Sequence, residues 1–495
     1  MKHSIPALRG LIILVLSATG IASAHDGSHA QPPWQQASNW PDRIVATFET
    51  DPATSIAVSW RTADGIEQPV ARIARALPAP RFDRAAREIA AVTERIRLDR
   101  TVFDGHEHAL DYPLNPDRVR FHSVNFTGLE PDTLYAYQVC GARAHCSEWF
   151  HIRTAPASGA PIRFVYLGDA QNGVMTHFAR VLRAAWSAQP HADFILHAGD
   201  LVDHASRDLE WASWFRAGGF IHAMTPVIPV TGNHEYDKLE IDGERRRAVL
   251  SRMWRPQFRL PVVESLPELL HETVYSVDFG KTLTVFVLNT QFARSSGQFE
   301  NQAAWLDKRL AASSADWNIV AMHHPVFSAA GDRDNEKLRE AVLPVLRRHK
   351  VPLVLQGHDH TYSRGRDTEG LSIERDETGT VFVTSVSGAK MYRLKEARWD
   401  SYTDQGASLD RAGENTQFYQ LLEIDGDRLD YAAFTATGDR YDAFTLTRHD
   451  DGRVRLIESG DPGEERNHNN TAVYDGIDDL NTGSVLEQPY GSNQK

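Results

Sequence analysis

The sequence predicts a β-sandwich followed by an α/β domain, and three observations carry that prediction. Before residue 160 the chain is a succession of short alternating runs separated by turn residues; after it, apolar strand-length runs alternate with helical periodicity. At 495 residues the chain exceeds what one hydrophobic core organises, so two domains are expected. In the second part, strand after strand ends in Asp, Asn or His. That places polar side chains beyond the carboxyl ends of strands, where loops of an α/β sheet converge on a ligand.

Composition sets the outer bounds. With 41% apolar and 24% charged residues the chain reads as globular. A net charge of −13 with no long basic run argues against binding a nucleic-acid backbone. Residues 1–24 read as a signal peptide: Lys2 and Arg9, then the apolar run Leu11–Leu16, then Ala22-Ser23-Ala24. Export to the periplasm or the exterior is therefore expected. No cysteine stands near the cut to carry a lipid, and no later stretch approaches the eighteen apolar residues of a membrane span. Residues 25–41 are a polar, proline-bearing linker.

The sandwich is assigned to residues 42–156. Strands are expected at Arg43–Thr47, Ser55–Trp60, Val70–Ile73, Arg120–Phe126 and Leu134–Val139, with Arg81–Ile96 ambiguous between helix and strand. Cys140 and Cys146 flank a short turn, and in an oxidising compartment a disulfide stapling that hairpin is the favoured reading, with two free thiols the alternative. The α/β domain is assigned to residues 160–458. Phe164–Leu167 opens it, and Val174, Phe178, Val181, Leu182, Ala185 and Trp186 then recur at helical spacing. Strands follow at Phe194–Leu196, Val227–Val230, Leu283–Leu288, Ile319–Met322 and Leu353–Leu355. Val381–Val386, Phe418–Ile424, Leu429–Thr435 and Ala443–Thr447 are expected to complete a second sheet. Residues 459–495 read as a weakly ordered tail.

Five blocks close predicted strands in order: Gly168-Asp169, Gly199-Asp200, Gly232-Asn233-His234-Glu235, His323-His324-Pro325 and Gly357-His358-Asp359-His360. Any one alone is an ordinary turn or a surface histidine. Five in sequence, each closing a strand, point to one shared pocket. Carboxylate, amide and imidazole without thiolate suit borderline divalent metals and Fe(III). Two adjacent cations need a bridging carboxylate, and together they acidify a water.

This order and spacing resembles the calcineurin-like metallophosphoesterases, and within them the purple acid phosphatase group. Pro41-Asp42-Arg43-Ile44, Asp51-Pro52-Ala53-Thr54-Ser55 and Val58-Ser59-Trp60-Arg61-Thr62 look like that group's fibronectin III-like N-terminal domain. Gly128-Leu129-Glu130-Pro131-Asp132 is similar to its later strand entry, and His358-Asp359-His360-Thr361-Tyr362-Ser363-Arg364 extends the match past the metal blocks. The resemblance implies a four-layer α/β/β/α metallophosphoesterase domain holding two divalent or mixed-valence ions of iron, manganese or zinc. It implies Asp200 as the bridge, Asp169 and His360 on the first metal, and Asn233, His323 and His358 on the second. His234 would steady charge on the phosphate, with Arg364 a further candidate for that task, while His324 would pack rather than ligate. The implied reaction is hydrolysis of a small phosphate ester by a metal-bridging hydroxide: monoesters first, diesters or nucleotides as the alternative. A non-catalytic metal-binding or adhesion protein is the rival of another class.

Two departures from the pattern matter. Purple enzymes carry a tyrosine three residues after the second block's Asp, where this chain has Asp203; the purple colour should then be absent. Gln171, two residues after Asp169, stands where other relatives place a metal ligand, and is a candidate for the first metal. Arg333 occupies the slot of a histidine proton donor, which leaves His204 or a water for that role.

Overall fold

The computed structural model describes residues 34–97, 118–142, 144–241, 244–331, 333–369, 371, 377–395, 397–460 and 463–466. The expected signal peptide, linker residues 25–33 and tail residues 467–495 lie outside them.

Among the described residues, the N-terminal sandwich has four strands on each side. Asp42–Thr47, Ser55–Ala63, Arg118–Thr127 and Val92–Arg97 form one wall; Arg87–Ala90, Val70–Arg75, Leu134–Cys140 and Phe150–Arg153 form the other. The ambiguous segment contains no α-helix. After a short turn at Phe82–Ala85 it gives one strand to each wall, crossing between them at Ala91. Cys140 and Cys146 are disulfide-bonded.

Ser55–Ala63 is buried on both faces because it separates two partners. Its even positions Ile56, Val58 and Trp60 enter the sandwich core. On the opposite face Arg61, wholly buried, donates to Asp208 Oδ2 at 2.9 Å and to Asp42 at 2.6 and 2.8 Å. Arg43 reaches the same Asp208 oxygen at 2.8 Å. Asp208 opens the helix Asp208–Gly218 of the following domain, so the motif arginines of the sandwich act as its joint to that domain.

The α/β part is two facing sheets with helices outside. Ile162–Leu167, Phe194–His197 and Val227–Pro229 run parallel in the first. Leu283–Val287, Trp317–Ala321, Leu353–Gln356 and Val381–Thr384 run parallel in the second, which has seven strands among the described residues. Tyrosine hydroxyls cross between the sheets: Tyr166 donates to Gln356 O, Tyr275 to Pro229 O at 2.7 Å and Tyr362 to Asp442 at 2.7 Å. Val181, Leu182, Trp211 and Trp214 pack the outer face of the first sheet, and Leu306, Leu338, Val342 and Leu346 that of the second.

One expectation is corrected. Phe418–Asp425, Arg428–Thr435 and Arg440–Arg448 join the first sheet, not the second, with Gln420 opposite Tyr166. Asp42–Thr47 also meets Val227 through Thr47, making, among the described residues, a single sheet of eleven strands that runs from the sandwich through the first α/β layer to the C-terminal hairpins. The alternating burial of Arg428–Thr435 offers one apolar face that either sheet would cover, so its pattern does not choose between them.

Candidate metal centre

The first sheet delivers Asp169, Asp200 and the Gly232–Glu235 turn, and the second delivers His323, His358 and His360, all beyond strand carboxyl ends. The turns are tight. Asp200, His358 and His360 adopt φ of +50°, +74° and +51°, which aims successive side chains inward at a cost in backbone strain. A Cβ on Gly232 would stand 2.1 Å from Asp200 Oδ1, and one on Gly357 2.3 Å from Asp169 Oδ1; only glycine permits either approach.

Two overlapping groups of donors result, Asp200–His323–His358 and Asp169–Asp200–His360, sharing Asp200. In each, lone pairs face lone pairs. His323 gives Nδ1–H to Ala198 O at 2.8 Å, which leaves Nε2 as the atom to take a metal or, in its place, a proton. That atom lies 3.2 Å from Asp200 Oδ2, 3.2 Å from Asn233 Oδ1 and 3.1 Å from His358 Nδ1. His360 likewise gives Nδ1–H to Lys390 O at 2.9 Å and turns Nε2 to Asp169 Oδ2 at 3.2 Å. Asp169 Oδ2 and Gln171 Oε1 are buried without hydrogen-bond partners among the described residues. The Gln171 amide nitrogen contacts His360 Nε2 at 2.7 Å and Asp200 Oδ2 at 3.2 Å, and half a turn of the amide would bring Oε1 to that point. Such convergence of acceptors fits two cations.

The titration behaviour agrees. Burial holds His358 and His360 well below their ordinary value, which keeps both imidazoles neutral and able to ligate. Burial, opposed by His323 and reinforced by Asp200, lifts Asp169 to about 7. Burial pulls His323 down, but Asp200 and Asp169 more than reverse it, leaving it at about 9. A proton on His323 marks where this site calls for positive charge.

His234 stands beside the donors. It gives Nδ1–H to Asp203 O at 2.5 Å, while Nε2 faces Asp200 Oδ2 at 3.9 Å. Asp203, in the tyrosine slot, faces His204 Nδ1 at 3.0 Å and His234 Nδ1 at 3.3 Å. His324 receives Thr290 against Nδ1 at 2.8 Å and packs its ring 4.2 Å from that of His358. A cavity of about 210 Å³ borders His324, walled by Thr290, Arg294, Phe299 and Asn335.

Arg364 is not brought to the centre. Its guanidinium is bound by Asp442 at 2.7 and 3.2 Å, Glu458 at 3.0 Å and Asp410 at 3.2 Å, which corrects its candidacy: three carboxylates occupy the donors that a phosphate would need. Sequence reasoning passed over two residues. The Glu235 carboxylate accepts the backbone N–H of Asp200 at 2.9 Å, Leu201 at 2.8 Å and Gly232 at 2.7 Å, clamping two ligand turns together. Its place directly after Asn233-His234 was the available signal. Lys390, near His360, follows no pattern that sequence reveals.

The chain matches the calcineurin-like phosphoesterase family over residues 162–362 and the purple acid phosphatase N-terminal domain over residues 41–154. It is 31% identical to tartrate-resistant acid phosphatase type 5 of Sus scrofa, over 48% of this chain and 72% of that protein. It is 26% identical to an uncharacterized protein of Mycobacterium tuberculosis, over 65% of this chain and 62% of the relative. A purple acid phosphatase from yellow lupin (Lupinus luteus) seeds shares the fold, with a TM-score of 0.65 at 18% identity over 84% of this chain and 75% of that one. The chain spans about three fifths of the length of several curated relatives it matches. Sandwich, facing sheets and ordered donor blocks coincide with these matches: the chain belongs to the calcineurin-like metallophosphoesterases, in their purple acid phosphatase family.

Proposed function

We propose that this protein is an exported dinuclear-metal hydrolase of phosphate esters, with monoesters its first substrates. The observation that carries the reading is the pair of donor groups sharing Asp200, with lone pairs turned toward each other. Asp200 would bridge the two ions; Asp169, His360 and Gln171 would hold one, and Asn233, His323 and His358 the other. When bound, such a pair supplies Lewis acidity and lowers the pKa of water.

The remaining steps belong to the side chains. Ala198 O and Lys390 O fix the tautomers of His323 and His360, so each ring presents Nε2. Burial holds His234 below its ordinary value, but the charge of a phosphate dianion beside Nε2 favours the imidazolium. His234 then donates from Nε2 to a phosphoryl oxygen as charge builds there. Arg333 donates to His358 O at 2.6 Å, and a guanidinium, which holds its proton, is no acid for a leaving group. Good leaving groups are therefore expected to turn over faster.

Export rests on residues 1–24 and agrees with the disulfide; among the described residues no helix is long and apolar enough to cross a membrane. The test is elemental analysis of protein purified without added metal, beside a panel of mono- and diesters, for the native chain and Asp200→Asn. Two metals per chain with monoester turnover, both lost in Asp200→Asn, is the expected result. Metal content with no turnover of any ester would overturn the hydrolase reading.

A further inference from the structure

Beside the donor groups lie two cations that the metal centre does not use. Lys390 is only 8% exposed, and its ammonium has no hydrogen-bond or ion-pair partner among the described residues. Arg333, anchored to His358 O, lays its guanidinium 4.6 Å from the centroid of the Tyr392 ring, and Lys390 Nζ lies 5.8 Å from the same centroid. That ring stands edge-on to His360 at 4.7 Å. Of the carboxylates nearby, Asp359 turns Oδ2 to Ser328 Oγ and Ala329 N and leaves Oδ1, which accepts no hydrogen bond from the described residues, 3.8 Å from Arg333, while Asp203 faces His204 and His234.

An ammonium that keeps only a narrow opening to water and has no anionic partner is incompletely compensated, at a cost. The centre does not offset that cost, because two bound cations outweigh the charges of Asp169 and Asp200. An anion arriving with the substrate does. We infer that Lys390 and Arg333, flanking Tyr392, form a subsite for a second anionic group of the substrate, phosphate or carboxylate, next to the scissile phosphoryl group. The inference rests on the hydrolase reading and narrows its substrates to phosphate esters that carry another anion.

Calorimetric titration of the metal-loaded full chain tests it, with propylphosphonate, propane-1,3-diphosphonate and 3-phosphonopropionate as probes. The diphosphonate should bind about tenfold more tightly than the monophosphonate, the scale of one charged hydrogen bond. Lys390→Gln and Arg333→Gln should each remove most of that advantage, leaving propylphosphonate affinity within about twofold. The carboxylate probe tells whether the subsite takes phosphate alone or either anion. Equal binding of mono- and diphosphonate by the native protein, or an advantage that survives in both variants, overturns the inference. Circular dichroism establishes that each variant is folded, and the partly exposed Arg333 serves if the buried Lys390 position does not tolerate change. A native protein that prefers the diphosphonate yet hydrolyses no ester sinks the hydrolase reading and leaves the subsite standing. Ester turnover without that preference does the reverse.

Discussion

Glu235→Gln tests whether the two ligand turns are held by one carboxylate. Oε2 accepts the amides of Asp200 and Gly232, and Oε1 that of Leu201. A glutamine can keep its carbonyl oxygen on the first two, which then become neutral hydrogen bonds, but it turns an NH₂ toward the Leu201 amide. One charged bond is lost, two are weakened, and one buried donor is left without an acceptor: about 3 kcal/mol in total. Asp200 and the Asn233–His234 turn would then be held less firmly, and metal affinity should fall about 10- to 100-fold, as for removal of other residues that orient ligands. The assay is metal retained per chain, by elemental analysis, after dialysis against graded chelator, with near-ultraviolet circular dichroism to establish that the core is intact. Merely structural support would lower the melting temperature and leave the chelator midpoint alone. A midpoint within twofold of the native value would refute the clamp.

Four further outcomes are expected. His234→Ala should lower kcat by about 10²-fold with metal content unchanged, the scale of losing one transition-state donor; metal loss measured in the same variant would make His234 a ligand instead. Asp208→Asn should cost about 3 kcal/mol in urea unfolding, because it weakens the pairing of two buried arginines, Arg43 and Arg61, and an unchanged midpoint would contradict that joint. His222 stacks on Trp214 at 4.3 Å, burial pushes it down to about 3, and neither ring nitrogen has a hydrogen-bond partner among the described residues. Since the unfolded chain binds the proton first, His222 costs stability as pH falls from 6.5 toward 3; His222→Phe should gain about 2 kcal/mol on the native protein between pH 6.5 and 5, and parallel pH profiles would refute this. Iron-loaded protein should show no intense purple band in a visible spectrum taken beside an iron assay, since Asp203 holds the tyrosine slot and Tyr362 gives its hydroxyl to Asp442 at 2.7 Å; such a band would overturn that placement.

The donor blocks were legible because geometry forces them into the sequence. A ligand beyond a strand end needs a polar residue directly after an apolar run, and a close turn needs glycine beside it, as at Gly232 and Gly357. Sheet membership was less legible. The hairpin strands Phe418–Asp425 and Arg428–Thr435 announce themselves by alternation and by Asp425-Gly426, yet nothing local records that their partner is Ile162–Leu167, more than 250 residues earlier. Arg364 misled for a related reason: it follows the ligands in sequence, but it lies on the strand Tyr362–Asp367, which carries it to Asp442 and Glu458. Lys390 was illegible because its importance comes from what lies around it, a property of the fold and not of its neighbours in the chain.

The N-terminal sandwich takes on a different meaning once its arginines are traced. Arg43 and Arg61 meet on Asp208 at the start of a helix whose first turn also carries Glu210. Glu210 accepts from Arg207 at 3.1 Å, from the His204 backbone at 2.7 Å and lies 3.1 Å from His204 Nδ1. His204 in turn lies against Asp203, whose carbonyl oxygen fixes the tautomer of His234. Contacts therefore run without a gap from the sandwich wall to the side chain proposed to meet the phosphate. A two-faced strand such as Ser55–Ala63 cannot pack against solvent, so the sandwich is as much a wall of the catalytic domain as a unit of its own. The Pro41-Asp42-Arg43 and Trp60-Arg61 motifs, which sequence alone assigns to the sandwich, are better understood as part of the framework that holds the active-site loop.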